Sequence, residues 1–151
     1  MKLQSSAFEH GRSIPKIYTC QGKGINPPLD ISGVPEGAVS LVLIMDDPDV
    51  PKTLRADGMF DHWVVYNIDP QTTFIEEDAP PFALFGLNTS GKVGYFGPCP
   101  PDKEHRYFFK LYALDSWLDL QKGASRAEVE AKMQGHIMAK TELMGRYSKF
   151  S

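Results

Sequence analysis

All twelve prolines of this 151-residue chain lie at or before Pro101, and the last fifty residues hold none. Proline inside a helix removes a backbone hydrogen bond and clashes with the preceding turn, so any long helix is confined to the tail. Hydrophobic residues make up 42% of the chain, which supports a packed core and is too high for a disordered composition. The expected fold is mostly β, a turn-rich body followed by a C-terminal helix. At this length a single domain, residues 1–151, accounts for the whole chain.

Charge and patterning exclude several function classes. Sixteen Lys and Arg against nineteen Asp and Glu leave a net charge of −3. No basic run is present, so no nucleic-acid partner is expected. The longest apolar runs, such as Leu41–Met45, fall far short of the roughly 20 residues that span a membrane. Two cysteines, Cys20 and Cys99, are too few for a disulfide scaffold. They are read as reduced thiols of a cytoplasmic protein, Cys99 a small buried one, with a Cys20–Cys99 disulfide the less expected alternative. The alternative is a periplasmic protein whose signal has been removed.

Three runs carry the β pattern. Val39–Met45 is a β-rich apolar run of buried-strand length, stopped by Asp46-Asp47-Pro48-Asp49-Val50-Pro51. His62–Ile68 is a second strand, and Arg106–Leu114 is a long aromatic third. Ser125 and Glu128 fit a capping box, and Val129, Met133 and Ile137 recur at helical spacing. That pattern predicts a helix over residues 126–144, stopped at Gly145. Gly86–Lys92 imitates a phosphate-binding loop but fails at Val93, where the magnesium-binding hydroxyl belongs.

The chemistry-bearing residues gather in two proline-bounded loops. One is Asp46–Pro51. The other is Gly97-Pro98-Cys99-Pro100-Pro101, with His105 just before the aromatic strand, while His62 opens the strand between. If the three strands are neighbours, their ends bring aspartates and histidines together. Such a set makes an anion pocket, in which a carboxylate orients an imidazole. It also suits a divalent metal, and the plainest reading has aspartates capping turns and histidines at strand edges. Tyr107 lies two residues after His105, so both share one strand face while Arg106 points away. Val50–Pro51 is a candidate cis bond.

Asp47-Pro48-Asp49-x-Pro51, His62 opening a Trp-Val-Val-x-Asn strand, and Gly97-Pro98-x-Pro100 with His105-Arg106-Tyr107 resemble the phosphatidylethanolamine-binding protein family. The bacterial and archaeal branch, called Raf-kinase-inhibitor-like, is the most similar, and the likeness runs from Tyr18-Thr19-Cys20 to Tyr147. The resemblance implies a large antiparallel sheet packed on a smaller one, with peripheral helices. It implies a small pocket for the phosphoryl part of a phospholipid head group or a similar anion, with no cofactor and no metal. The residues it assigns to ligand binding are Asp47, Asp49, His62, Gly97, Pro98, His105 and Tyr107. A protein kinase partner and a homodimer are implied by the resemblance alone. Binding rather than catalysis is expected, with a hydrolase using a His/Asp pair, or an interaction module with a vestigial pocket, as the alternatives.

Overall fold

In the computed structural model, which describes residues 1–149, the chain runs β1 (Lys2–Gln4), a 3-10 turn (Lys16–Tyr18), β2 (Leu29–Ser32), β3 (Ser40–Asp47), β4 (Phe60–Ile68), β5 (Phe74–Ile75), β6 (Leu84–Phe85), β7 (His105–Leu114), α1 (Arg126–Met133) and β8 (Ile137–Tyr147). The strands form a three-stranded sheet, β1-β2-β5, and a five-stranded sheet, β6-β4-β3-β7-β8. Every pairing within the two sheets is antiparallel.

β3 sits at the centre of the large sheet, and all eight of its residues are buried. A strand covered on both faces has no need of polar alternation, which is why Leu41–Met45 is uniformly apolar. Leu41, Leu43 and Met45 face the small sheet, packing with Trp63, Val65, Phe109, Leu111 and the small-sheet residues Leu29, Ile31 and Ile75. Val42 and Ile44 face the other way, into a second core closed by Leu118, Val129 and Met133. The helix therefore covers one face of the large sheet and the small sheet covers the other. Among the described residues, no helix is long and apolar enough to cross a membrane.

The C-terminal helix is shorter than its sequence pattern suggests. Ser125 accepts from the Glu128 amide and Glu128 reaches back to the Ser125 amide, so the predicted capping box is present. The helix then stops at Met133. Gly135 adopts φ +83°, a left-handed turn that ends helices. The next eleven residues pair with β7 along nearly its full length. Ladder hydrogen bonds to β7 outweigh local helical preference here, and the buried residues Leu143, Gly145 and Tyr147 recur at a period of two. Gly145 is not a helix stop: a Cβ there would lie 2.5 Å from Ile14 Cγ1, so glycine admits close packing.

Two further expectations are corrected. No peptide bond among the described residues is cis, so Val50–Pro51 is trans. Cys20 and Cys99 are not free thiols but form a disulfide, with Cα atoms 5.4 Å apart. The fold supplies that proximity, because the segment after the 3-10 turn lies against the Gly97–Pro101 loop and the Cys20 amide donates to Pro98 O at 3.1 Å. The bond closes a loop of 79 residues in sequence. By the chain-entropy argument, its loss costs about 4.5 kcal/mol. Urea unfolding with and without reductant, and of a Cys20→Ala, Cys99→Ala variant, is expected to show this loss. An unchanged midpoint in both would show that the bond adds no stability.

Candidate functional site

A one-residue irregularity in the large sheet sets the direction of the site's side chains. Met45 pairs with Trp63, but the next β3 residue, Asp46, pairs with Asp61, leaving His62 as an extra residue in β4. Such a bulge re-aims side chains. Regular alternation would send His62 to the helix side and Asp61 to the small-sheet side. Instead His62 packs edge-on against Tyr107, ring centroids 5.3 Å apart, on the small-sheet side. Asp61 turns to the opposite face, where Arg126 of α1 bridges it and Asp46 at 2.8 and 2.7 Å. Lys110 donates to the same Asp46 oxygen at 2.8 Å.

On the small-sheet side, Asp47 ends β3 and His105 begins β7. Their strands are neighbours, and His105 Nδ1 lies 2.6 Å from Asp47 Oδ2. Asp47 is held in turn by the Asp49 amide, which donates to its Oδ1 at 2.8 Å. The other ring nitrogen of His105, Nε2, lies 2.6 Å from Asp102 Oδ1. Burial pulls the His105 pKa down, but hydrogen bonds and attraction from the two carboxylates outweigh it and leave the pKa raised. The hydrogen bond to His105 holds the Asp102 carboxyl below its ordinary range. Burial raises the Asp47 carboxyl's own pKa, but with a carboxylate oxygen 2.6 Å from each ring nitrogen the form that satisfies both is the imidazolium, and neither nitrogen is free. His105 is poorly placed to act as a general base.

His62 has the opposite character. Burial drives its pKa down to about 4, and its hydrogen bond to the Phe96 carbonyl only partly opposes this. It is neutral at pH 7. With Nδ1 bonded to Phe96 O at 2.6 Å, the proton sits on Nδ1 and Nε2 is left as an acceptor. Phe60 and Phe96 pack around the ring, with centroids 4.6 and 5.8 Å away.

These groups surround a cavity of about 310 Å³. Its walls include Asp47, His62 and His105, the apolar Val50, Leu54, Phe60, Phe96 and Pro101, and Arg55. Tyr107 lies between the two histidines. Its ring is fully buried, and its hydroxyl makes no hydrogen bond among the described residues. Burial first, and then the nearby Asp47 carboxylate, push its pKa far up, so the hydroxyl keeps its proton.

The fold thus brings together Asp47, His62, His105 and Tyr107, four of the residues named from sequence. The other three, Asp49, Gly97 and Pro98, do not line the cavity. Asp49 turns to Arg106, accepting from its backbone amide and from two guanidinium nitrogens at 2.8–2.9 Å. Gly97 is packed so tightly that a Cβ would lie 2.7 Å from Tyr18 O. Pro98 accepts from Cys20 through its carbonyl. The rim residues Leu54, Arg55 and Phe96 and the acid Asp102 were not named from sequence. Asp102 is the one with a readable signal: an acid three residues before His105, within the same loop. Among the described residues, no group of three or more His, Cys, Asp or Glu side chains is arranged to hold a metal ion.

The depressed His62 pKa makes stability depend on pH. Above pH 6.5 both folded and unfolded states hold the ring neutral, and its contribution is complete. As pH falls from 6.5 towards 4, the unfolded chain takes up a proton that the folded one refuses, and stability is lost. The loss reaches about 3 kcal/mol at and below the folded pKa. Urea unfolding between pH 7 and 4 is expected to show a flatter decline for His62→Gln than for the natural chain. Parallel declines would mean that His62 titrates normally.

Comparison with known proteins agrees with this architecture. The family model for phosphatidylethanolamine-binding proteins matches residues 4–148. A UPF0098 protein of Chlamydia trachomatis is 53% identical over 149 residues, spanning 99% of both chains. Another, from the archaeon Methanothermobacter thermautotrophicus, is 46% identical over 155 aligned residues, again spanning 99% of both. Among solved structures, the phosphatidylethanolamine-binding protein homologue CT736 of Chlamydia trachomatis superposes with a TM-score of 0.95 at 53% identity, covering 97% of this chain and 96% of that one. E. coli YbcL superposes with a TM-score of 0.87 at 30% identity, covering 97% of each chain. The chain belongs to the phosphatidylethanolamine-binding protein family.

Proposed function

We propose that the cavity binds a small oxyanion, either the phosphoryl group of a phospholipid head group or a free phosphate or carboxylate. The observation that carries this reading is the Tyr107 hydroxyl, a protonated donor buried between two histidines and near the Asp47 carboxylate, with no acceptor at hydrogen-bonding geometry among the described residues. An unmet buried donor costs about 1–3 kcal/mol, and a ligand oxygen above it recovers that cost. The same oxygen would meet His62 Nε2. Arg55 at the wall, 3.7 Å from Asp57 Oδ1, adds a positive charge that this exposed acid partly offsets. The apolar wall of Val50, Leu54, Phe60 and Phe96 suits the carbon portion next to a head group. A cavity of about 310 Å³ admits a head group but not a pair of acyl chains.

The protonation of His62 fixes the sign of the pH dependence. A neutral Nε2 repels an oxyanion unless the ligand carries a proton or the ring gains one. Binding then takes up a proton, so affinity falls as pH rises above neutrality, by up to about tenfold per unit. Titration with inorganic phosphate at pH 6 and pH 8, followed by NMR, tests this. The His62 and Tyr107 signals are expected to move, with tighter binding at pH 6. Tyr107→Phe is expected to weaken binding roughly tenfold, since hydrogen bonds to charged groups contribute about 1.5–3 kcal/mol. Glycerophosphoethanolamine in parallel separates a head-group preference from a general phosphate site. Unmoved His62 signals at saturating phosphate would rule the reading out.

A further inference from the structure

We propose that Asp102 is the pocket's resident anion: its carboxylate occupies the place on His105 that an incoming oxyanion would otherwise take, and it thereby decides which ligands the pocket admits. This rests on the oxyanion reading above and adds a specificity-determining residue to it. The two carboxylates on His105 are not equivalent. Asp47 lies on a strand, its side chain 4% exposed and tied to the Asp49 amide. Asp102 lies on the loop between Pro101 and β7, with its side chain 39% exposed. Pro101 and His105 both line the cavity, and Asp102, on the loop between them, reaches it through its bond to His105 Nε2 at 2.6 Å.

The charges around His105 explain why this matters. The group formed by Asp47, Asp102 and cationic His105 carries a net negative charge, and His62 adds none. The histidine expected from sequence to hold an anion is already saturated by the protein's own acids. An oxyanion therefore binds on the Tyr107 and His62 side against the Asp102 charge, or swings Asp102 into solvent and takes over His105 Nε2. Asp47 cannot yield in the same way, because it is buried and bonded at both oxygens.

The test compares inorganic phosphate binding by the natural chain, Asp102→Asn, Asp102→Ser and Asp119→Asn, by calorimetry and by NMR of the His105 ring. Asparagine keeps the shape and removes the charge, and serine also vacates the space. Asp119 is an exposed acid beyond the Leu114 end of β7, the end opposite His105, and controls for bulk charge. Both Asp102 variants are expected to bind phosphate about tenfold more tightly, since like charges placed together oppose binding strongly. The His105 signals are expected to respond to phosphate most in Asp102→Ser. Asp119→Asn is expected to change affinity less than twofold. Unchanged or weaker binding in both Asp102 variants, with binding by the natural chain intact, overturns this proposal and leaves the oxyanion pocket standing. Equal tightening by Asp119→Asn overturns it too, as a bulk-charge effect. Absence of phosphate binding in every protein overturns the pocket reading and this one with it.

Discussion

The buried pairing of Asp47 with His105 is the interaction around which the site is organised. It joins the end of β3 to the start of β7 with both side chains shielded from water. Burying an ion pair is costly and adds little net stability over apolar packing, but breaking it strands a charge and is severely destabilising. The pair therefore acts as a register lock. If β7 slipped by one residue, His105 would face the helix side and the Asp47 carboxylate would be left unpaired. With the register held, Tyr107 is carried to its place between the histidines, and Arg106 is carried to the opposite face, where it clamps Asp49. The loop after β3 is thus pinned from both faces of one strand.

Much of this was legible in the residues themselves. Strand alternation places His105 and Tyr107 on one face, and the proline-bounded ends of β3 and β7 mark where polar groups gather. The features that escaped depend on contacts between distant segments. The run after Met133 has helical spacing, but it lies beside β7, whose edge needs a partner, and Gly135 breaks the helix at the right place. Cys20 and Cys99 carry no spacing motif, and only the finished fold brings them within bonding range. The extra residue at His62 leaves no mark in composition, because a bulge is a mismatch between two strands and each strand alone looks regular.

That bulge separates two clusters of charge that sequence order would merge. Asp46 and Asp47 are adjacent but face opposite sides of the sheet, as do Asp61 and His62. On the helix side, Arg126 and Lys110 neutralise Asp46 and Asp61 and tie α1 to the sheet. The cavity side is thereby spared the Asp61 carboxylate, which would repel an anion. A regular β4 would place Asp61 in the cavity and His62 against Arg126, and the pocket would lose its one acceptor imidazole.

The two histidines then divide the work by environment rather than by chemistry. Two carboxylates keep His105 charged, and that charge is spent inside the protein, holding Asp47 and the loop of Asp102 in position. His62, buried among Phe60, Phe96 and Tyr107, is kept neutral, with its proton fixed on Nδ1 by the Phe96 carbonyl. The pocket is therefore not a simple cationic hole. Under the proposed reading it would offer a donor at Tyr107, an acceptor at His62 and a displaceable carboxylate at Asp102. Such an arrangement would favour an oxyanion that still carries a proton over a fully ionised one, because bare charge density could not also satisfy Nε2.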